Sequence, residues 1–219
     1  MKIRDLQLPN LELGATLRLP DSPKGIIVFA HGSGSSRFSP RNAAVAESLN
    51  QAGFGTFLLD LLTPAEEADR NNVFDIPLLA NRLIFAVAWI DRQPELSYLP
   101  LGFFGASTGA AAAIVAAARL GKRVGAVVSR GGRPDLAEQA LDLVTAPTLL
   151  IVGGADHAVL GLNEKAFAQL RTQKALRIVP GATHLFEEPG ALEEVSRYAI
   201  EWFDTHLAQR SAKLAAQGR

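Results

Sequence analysis

A serine, an aspartate and a histidine, three residue types that together can carry out acyl transfer, occur in that order, each shortly after an apolar segment. Ser107 sits in Gly105-Ala106-Ser107-Thr108-Gly109, behind Leu101-Gly102-Phe103-Phe104 and ahead of an alanine-rich run to Leu120. In Gly-x-Ser-x-Gly between a strand and a helix, the serine is held at a strained apex. The glycines stand where neighbouring side chains would collide. Asp156 ends Gly153-Gly154-Ala155-Asp156, and His184 ends Pro180-Gly181-Ala182-Thr183-His184.

Each residue type has a task. A serine hydroxyl is a weak nucleophile at its free pKa, so a neutral imidazole must take its proton. A carboxylate fixes the tautomer and orientation of that imidazole and stabilises the imidazolium as it forms. The tetrahedral oxyanion needs donors aimed at it in advance. The N–H of Thr108 is one expected donor, and the loop after His31 supplies the second, at Ser33 with Gly34 as the alternative. The rivals are weaker by position. His157 adjoins Asp156, and neighbours on a tight loop rarely face each other. Asp135 and Asp142 fall in a helix-like segment. His31 is expected to brace its loop through hydrogen bonds, and His206 to be solvated.

Arg130 follows another strand end and reads two ways. It could hold a substrate carboxylate or phosphate bidentately, or pair with Glu66, Asp69 or Asp75. Gly34 and Ser35 join it as candidate substrate contacts, and Ser36 and Arg37 could line the same pocket. Gly32-Ser33-Gly34 lacks the third glycine of a dinucleotide fingerprint, and the chain has no Gly-Lys-Ser/Thr phosphate loop. No His/Asp/Glu cluster has metal-ligand spacing. Neither a metal nor an organic cofactor is expected.

Positioning these residues takes a sheet. Segments 3–8 and 11–19 alternate apolar and polar residues as half-exposed strands do. Segment 25–30 is continuously apolar, as a strand buried on both faces is, 55–60 is the next buried strand, and 101–105, 124–129, 147–153 and 175–179 are expected as further strands. Helical patterns are expected over 40–53, 75–91, the alanine run up to Gly121, 135–143, 160–171 and 189–207, with an irregular loop at 61–72. Eight strands with helices alternating from the third onward imply right-handed crossovers and a mostly parallel sheet with helices on both faces. Ligands then sit beyond the carboxyl ends of the strands, where Ser107, Asp156 and His184 fall. The short connection from 129 to 147 leaves no material for a lid, so an open site without a cap domain is expected. A single domain over 1–207 is expected, with a frayed tail at 208–219.

Composition narrows the function classes. Lys plus Arg equals Asp plus Glu at 22 each, which points away from nucleic acid and from a polybasic membrane face. The absence of cysteine removes a thiol nucleophile and a disulfide framework. No signal-like N-terminus and no run of about 18 apolar residues occurs, so a cytoplasmic protein is expected, acting on a small-molecule acyl substrate.

Taken together, Ala30-His31-Gly32-Ser33-Gly34, Gly105-Ala106-Ser107-Thr108-Gly109, Gly153-Gly154-Ala155-Asp156 and Gly181-Ala182-Thr183-His184 resemble an α/β-hydrolase. The small size and missing cap resemble the dienelactone hydrolase family, over 11–207. The resemblance implies hydrolysis of an ester, thioester or lactone with no metal or organic cofactor. The named dienelactone hydrolases use a cysteine nucleophile. Ser107 stands in its place here, which directs the expectation away from dienelactone and towards a serine esterase-like activity. The chain is also similar to a subgroup found beside or fused to phosphoribosyltransferase domains, which implies association with such a transferase. Two other functions share these residues: a binding or regulatory module on a hydrolase fold, and an acyltransferase that uses an acceptor other than water.

Overall fold

A computed structural model of the chain describes residues 1–217, with side chains described as far as Leu207. Strands β1 (Lys2–Leu8) and β2 (Leu13–Leu19) form an antiparallel hairpin. In β2 the buried residues Leu13, Ala15, Leu17 and Leu19 alternate with half-buried ones, the period of a strand that covers one face. β1 carries Lys2, Arg4, Asp5 and Gln7 exposed, and charges on an edge strand discourage pairing with another chain. β2 then pairs antiparallel with β4 (Gly55–Leu59).

The remaining ladders are parallel. They link β3 (Ile26–Ala30), β4, β5 (Leu101–Ala106), β6 (Val124–Arg130), β7 (Thr148–Gly153) and β8 (Lys174–Val179). The eight-stranded order is β1-β2-β4-β3-β5-β6-β7-β8, the mostly parallel sheet of an α/β-hydrolase fold. Every residue of β3, β4, β5, β6 and β7 is buried, as it must be when helices cover both faces.

Alternate residues of these strands serve two cores. Ile26, Val28 and Ala30 face α4 (Ile76–Ile90), α5 (Thr108–Leu120) and α6 (His157–Gln169). Ile27 and Phe29 face α1 (Pro40–Gln51) and α7 (Ala191–Gln217), where Val45, Leu49, Val195 and Phe203 are fully buried. α5 packs closely against its surroundings because Ala110, Ala111, Ala112, Ala113 and Ala117 are small and all fully buried. No separate cap domain occurs among the described residues.

Local chemistry accounts for where the elements depart from the sequence expectations. The 61–72 stretch is not irregular: it holds α2 (Pro64–Glu67) and α3 (Arg70–Val73). Thr63 and Glu66 form a reciprocal capping box on α2, and Asp69 caps α3. The expected helix at 135–143 is a 3-10 segment, Pro134–Ala140, broken by non-helical angles at Ala137. α6 starts three residues earlier than expected, directly after Asp156. The last helix, expected to end near 207, continues as α7 to Gln217 through most of the expected frayed tail 208–219, and residues 218–219 lie outside the described residues.

Candidate active site

Ser107 occupies the turn between β5 and α5 with φ 52° and ψ −121°, a backbone region unfavourable for a residue with a side chain. Strain of this kind costs about 1–3 kcal/mol and persists only where the surroundings enforce it. Here they do. Ser107 N donates to the Arg130 carbonyl at 3.2 Å, and the Ser107 carbonyl accepts from Ala110 N and Arg133 N, both at 3.1 Å. The flanking glycines are required by contact. A Cβ at Gly109 would lie 2.3 Å from the carbonyl oxygens of Ala30 and His31, and one at Gly105 would lie 2.5 Å from Ala110 Cα.

The loop after β3 crosses over the serine. A Cβ at Gly32 would stand 3.0 Å from Ser107 Cβ and 3.7 Å from its Oγ. His31 braces this loop as expected: its Nε2 accepts from Leu61 N at 3.1 Å, which leaves Nδ1–H to donate to the Gly32 carbonyl at 3.0 Å. Burial holds the His31 imidazole below its usual pKa and so keeps it neutral. With every peptide trans, a Gly32 carbonyl turned to His31 directs the next N–H, that of Ser33, away from His31. Thr108 opens α5, so its N–H has no partner within the helix. Ser33, Gly34 and Thr108 border one small niche, which Ser107 itself does not line.

Asp156 and His184 arrive on the loops that follow β7 and β8. These loops are laced together: Gly154 N donates to Val179 O at 2.8 Å and Ala155 N to Ala182 O at 2.9 Å. A Cβ at Gly153 would sit 2.3 Å from the Ala182 carbonyl oxygen. The result is a hydrogen bond of 2.7 Å between His184 Nδ1 and Asp156 Oδ2. Asp156 is largely buried, whereas the His184 ring is 39% exposed and open to a ligand. Donation from Nδ1–H leaves Nε2 as the basic nitrogen.

A cavity of about 210 Å³ brings Ser107, His184, Ser33, Ser35 and Arg130 to one wall-to-wall space. No hydrogen bond joins Ser107 Oγ to His184 among the described residues; the two face the shared cavity. Thr108 and Gly34 border the adjoining niche instead. Two larger cavities, about 510 Å³ each, lie elsewhere. One lies against Val115, Arg119 and Leu136, the other against Leu6, Arg37 and Asp60, and neither contains Ser107 or His184.

None of the alternative residues lines the cavity that holds Ser107. His157 is exposed at the start of α6, Asp135 is engaged by Arg133 through two hydrogen bonds, and Asp142 is exposed. His206 is half-buried with its ring against Trp202 at 4.3 Å, rather than solvated as expected. Arg37 turns to Asp60 in an ion pair instead of lining the serine's cavity.

For Arg130, the salt-bridge reading is overturned. Glu66 pairs with Arg82, while the Asp69 and Asp75 carboxylates cap α3 and α4. Arg130 is 6% exposed, its Nη2 reaches Asn42 Oδ1 at 3.3 Å, and its guanidinium lies 5.7 Å from the Phe186 ring centre. Arg41 and Asn42 also line this cavity, and sequence reasoning missed both. They occupy the first turn of α1, immediately after the loop that crosses Ser107, so their nearness in sequence to Ser35 was the available signal.

Comparison with known proteins gives a consistent picture. The model of the dienelactone hydrolase family matches residues 13–207. A crystal structure of dienelactone hydrolase from Anabaena variabilis ATCC 29413 is 53% identical, with a TM-score of 0.90 over 94% of this chain and 97% of that one. Est1E from Butyrivibrio proteoclasticus shares the fold at 16% identity, with a TM-score of 0.76 over 92% of this chain and 98% of its own. Two Mycobacterium tuberculosis sequences, from strains CDC 1551 and H37Rv, are 61% identical over 191 residues and carry provisional names as phosphoribosyl transferases. That match covers 87% of this chain but 43% of theirs, so the chain spans less than half the length of these relatives.

Proposed function

The chain belongs to the dienelactone hydrolase family, and we propose that it is a serine hydrolase cleaving a carboxylic ester, thioester or lactone through an acyl-enzyme on Ser107. The observation that carries this reading is the 2.7 Å hydrogen bond from His184 to Asp156, beside a cavity that also holds a strained serine.

In the proposed reaction, Ser107 Oγ attacks the substrate carbonyl carbon as its proton passes to His184 Nε2. Asp156 accepts from Nδ1–H and stabilises the imidazolium. The N–H groups of Ser33 and Thr108 are the proposed donors to the oxyanion. The tetrahedral intermediate collapses, the leaving alcohol or thiol departs with the proton from Nε2, and the acyl group remains on Oγ. Water then attacks this ester while His184 takes its proton. The second collapse frees the carboxylic acid and returns a proton to Oγ.

Turnover tests the reading. Short-chain esters, thioesters and lactones are offered to the wild type, Ser107→Ala and His184→Ala, and each variant is expected to lose at least about a thousandfold in kcat with its fold intact. Turnover near the wild-type rate in either variant removes that residue from the scheme.

The length of the Mycobacterium relatives adds one element. We place this chain as a hydrolase unit that works beside a phosphoribosyltransferase unit, which is all their provisional names support. Co-purification of such a transferase with the tagged chain from its own cells tests it, and recovery of the chain without one counts against it.

A further inference from the structure

Asn163 is a polar residue where a helix would ordinarily place an apolar one. It lies in α6 with none of its surface exposed, and it does not line the cavity that holds Ser107. Asparagine is a weaker helix former than leucine or alanine, and burying its amide is unfavourable unless the amide is bonded. Nδ2 carries two donors and uses both, to Val159 O one turn back in the helix at 2.8 Å and to Gly132 O at 3.0 Å. The Oδ1 atom is buried without a partner, so the side chain serves as a donor alone. The Gly132 bond leads to the nucleophile. The Gly132 carbonyl and the Arg133 N–H belong to one trans peptide and point in opposite directions. Asn163 holds the first, and the second donates to the Ser107 carbonyl at 3.1 Å. Arg130 O accepts from Ser107 N at 3.2 Å, so segment 130–133 grips Ser107 at both its N–H and its carbonyl. The same segment abuts the base: a Cβ at Gly131 would lie 3.2 Å from His184 O and 3.5 Å from His184 Nδ1. One at Gly132 would lie 2.0 Å from Ser129 Oγ and 2.8 Å from Ala110 Cβ, so neither glycine could carry a side chain to anchor the segment.

From this arrangement we propose that Asn163 is a positioning residue for the Ser107 reaction. Through the Gly132–Arg133 peptide it fixes where the strained serine stands relative to His184. The proposal rests on that reaction for its catalytic consequence. α6 is the common support: Asp156, which holds His184, is its N-cap, and Asn163 follows seven residues later, nearly two turns on and so on the same side of the helix. One helix thereby orients the base with a carboxylate and the turn of the nucleophile with an amide. No hydrogen bond joins Ser107 Oγ to His184 among the described residues, so the backbone that carries the two sets their approach. A displacement of about 1 Å there can cost on the order of a hundredfold in rate. An aspartate could not take the place of Asn163, because its carboxylate would face two carbonyl oxygens.

Two substitutions separate the two bonds of the amide. Asn163→Leu keeps the number of side-chain heavy atoms and removes both donors. In Asn163→Ser the shorter hydroxyl can still donate to Val159 O, as helical serines do to the carbonyl four residues back, but falls short of Gly132. This second variant also covers the case in which the leucine variant does not fold. Hydrogen exchange followed by NMR reads the link without turnover. The Arg133 amide is expected to exchange at least about tenfold faster in both variants, with Phe104 and Val128, inside β5 and β6, unchanged. Hydrolysis of p-nitrophenyl acetate, measured well below each melting temperature, reads the consequence. In both variants kcat is expected to fall at least about tenfold with KM within about twofold, because Asn163 is no part of the cavity wall. Wild-type kcat in Asn163→Ser would assign the residue to its own helix and overturn the proposal. So would a loss confined to KM, unchanged exchange at Arg133, or faster exchange at all three amides alike. A wild type silent towards both p-nitrophenyl acetate and a fluorophosphonate would be failure of the Ser107 reaction, and the Arg133 exchange keeps that distinct from failure of the link.

Discussion

Asp156 Oδ2 lies 2.7 Å from His184 Nδ1, and the residue that makes this bond also occupies the N-cap position of α6, where its side chain caps nothing. An aspartate at an N-cap ordinarily accepts from the second or third helical N–H, a contribution of about 1 kcal/mol. Here the carboxylate is turned from its own helix to a histidine 28 residues away. The local rule of helix capping gives way to the site, which is the pattern expected where function is built at the expense of stability.

Asp156→Asn separates the two roles. The amide cannot stabilise an imidazolium or hold the same tautomer, so kcat on a short-chain ester is expected to fall about 10³–10⁴-fold. Asparagine caps helices as well as aspartate, so the melting temperature is expected to hold or rise. A fall in stability matching the fall in activity would show that the bond to His184 braces the fold instead.

The strained angle at Ser107 gives a second separation. Glycine adopts φ 52° without penalty, whereas serine holds it at a cost of about 1–3 kcal/mol. Ser107→Gly is therefore expected to be inactive yet more stable than the wild type by about 1 kcal/mol in urea unfolding. Loss of stability in this variant would mean that the hydroxyl supports the fold.

The pH dependence of stability should carry the mark of His31. Burial lowers its folded pKa below the ordinary histidine value, so the unfolded chain binds the proton more readily. The resulting stability is complete above the unfolded pKa and is lost as pH falls from about 6.5 towards the folded value. His206 is shifted in the same direction by burial, so the wild type alone cannot isolate the effect. Urea unfolding from pH 7.5 to 5 is expected to show a shallower loss in His31→Gln than in the wild type. Equal slopes would assign the acid sensitivity elsewhere.

How much of this was legible in the sequence depends on what each residue answers to. Ser107 and Asp156 could be read because each follows a strand buried on both faces, which announces itself as an apolar run, whereas His184 follows the edge strand β8, with Arg177 and Ile178 exposed, and could be read only from its place after the last strand. Their placement at one end of the sheet followed from parallel topology alone. The state of Arg130 could not be read. Whether an arginine meets a carboxylate depends on side-chain packing between elements far apart in the chain, and here the acids nearest in expectation were committed to Arg82 and to two helix caps. The helices at 64–67 and 70–73 were missed although Thr63 and Glu66 spell a capping box, because each is a single turn without apolar periodicity. The early start of α6 was hidden for the opposite reason: its first residue follows a cap residue whose side chain serves another partner.

The central claim, that Ser107 is the nucleophile and His184 activates it, is tested most directly by labelling with a small fluorophosphonate and locating the adduct by mass spectrometry. The account predicts one phosphonylated peptide containing Ser107 in the wild type, none in Ser107→Ala, and labelling slowed at least about a hundredfold in His184→Ala. An adduct on another residue, or labelling of His184→Ala at the wild-type rate, would contradict it.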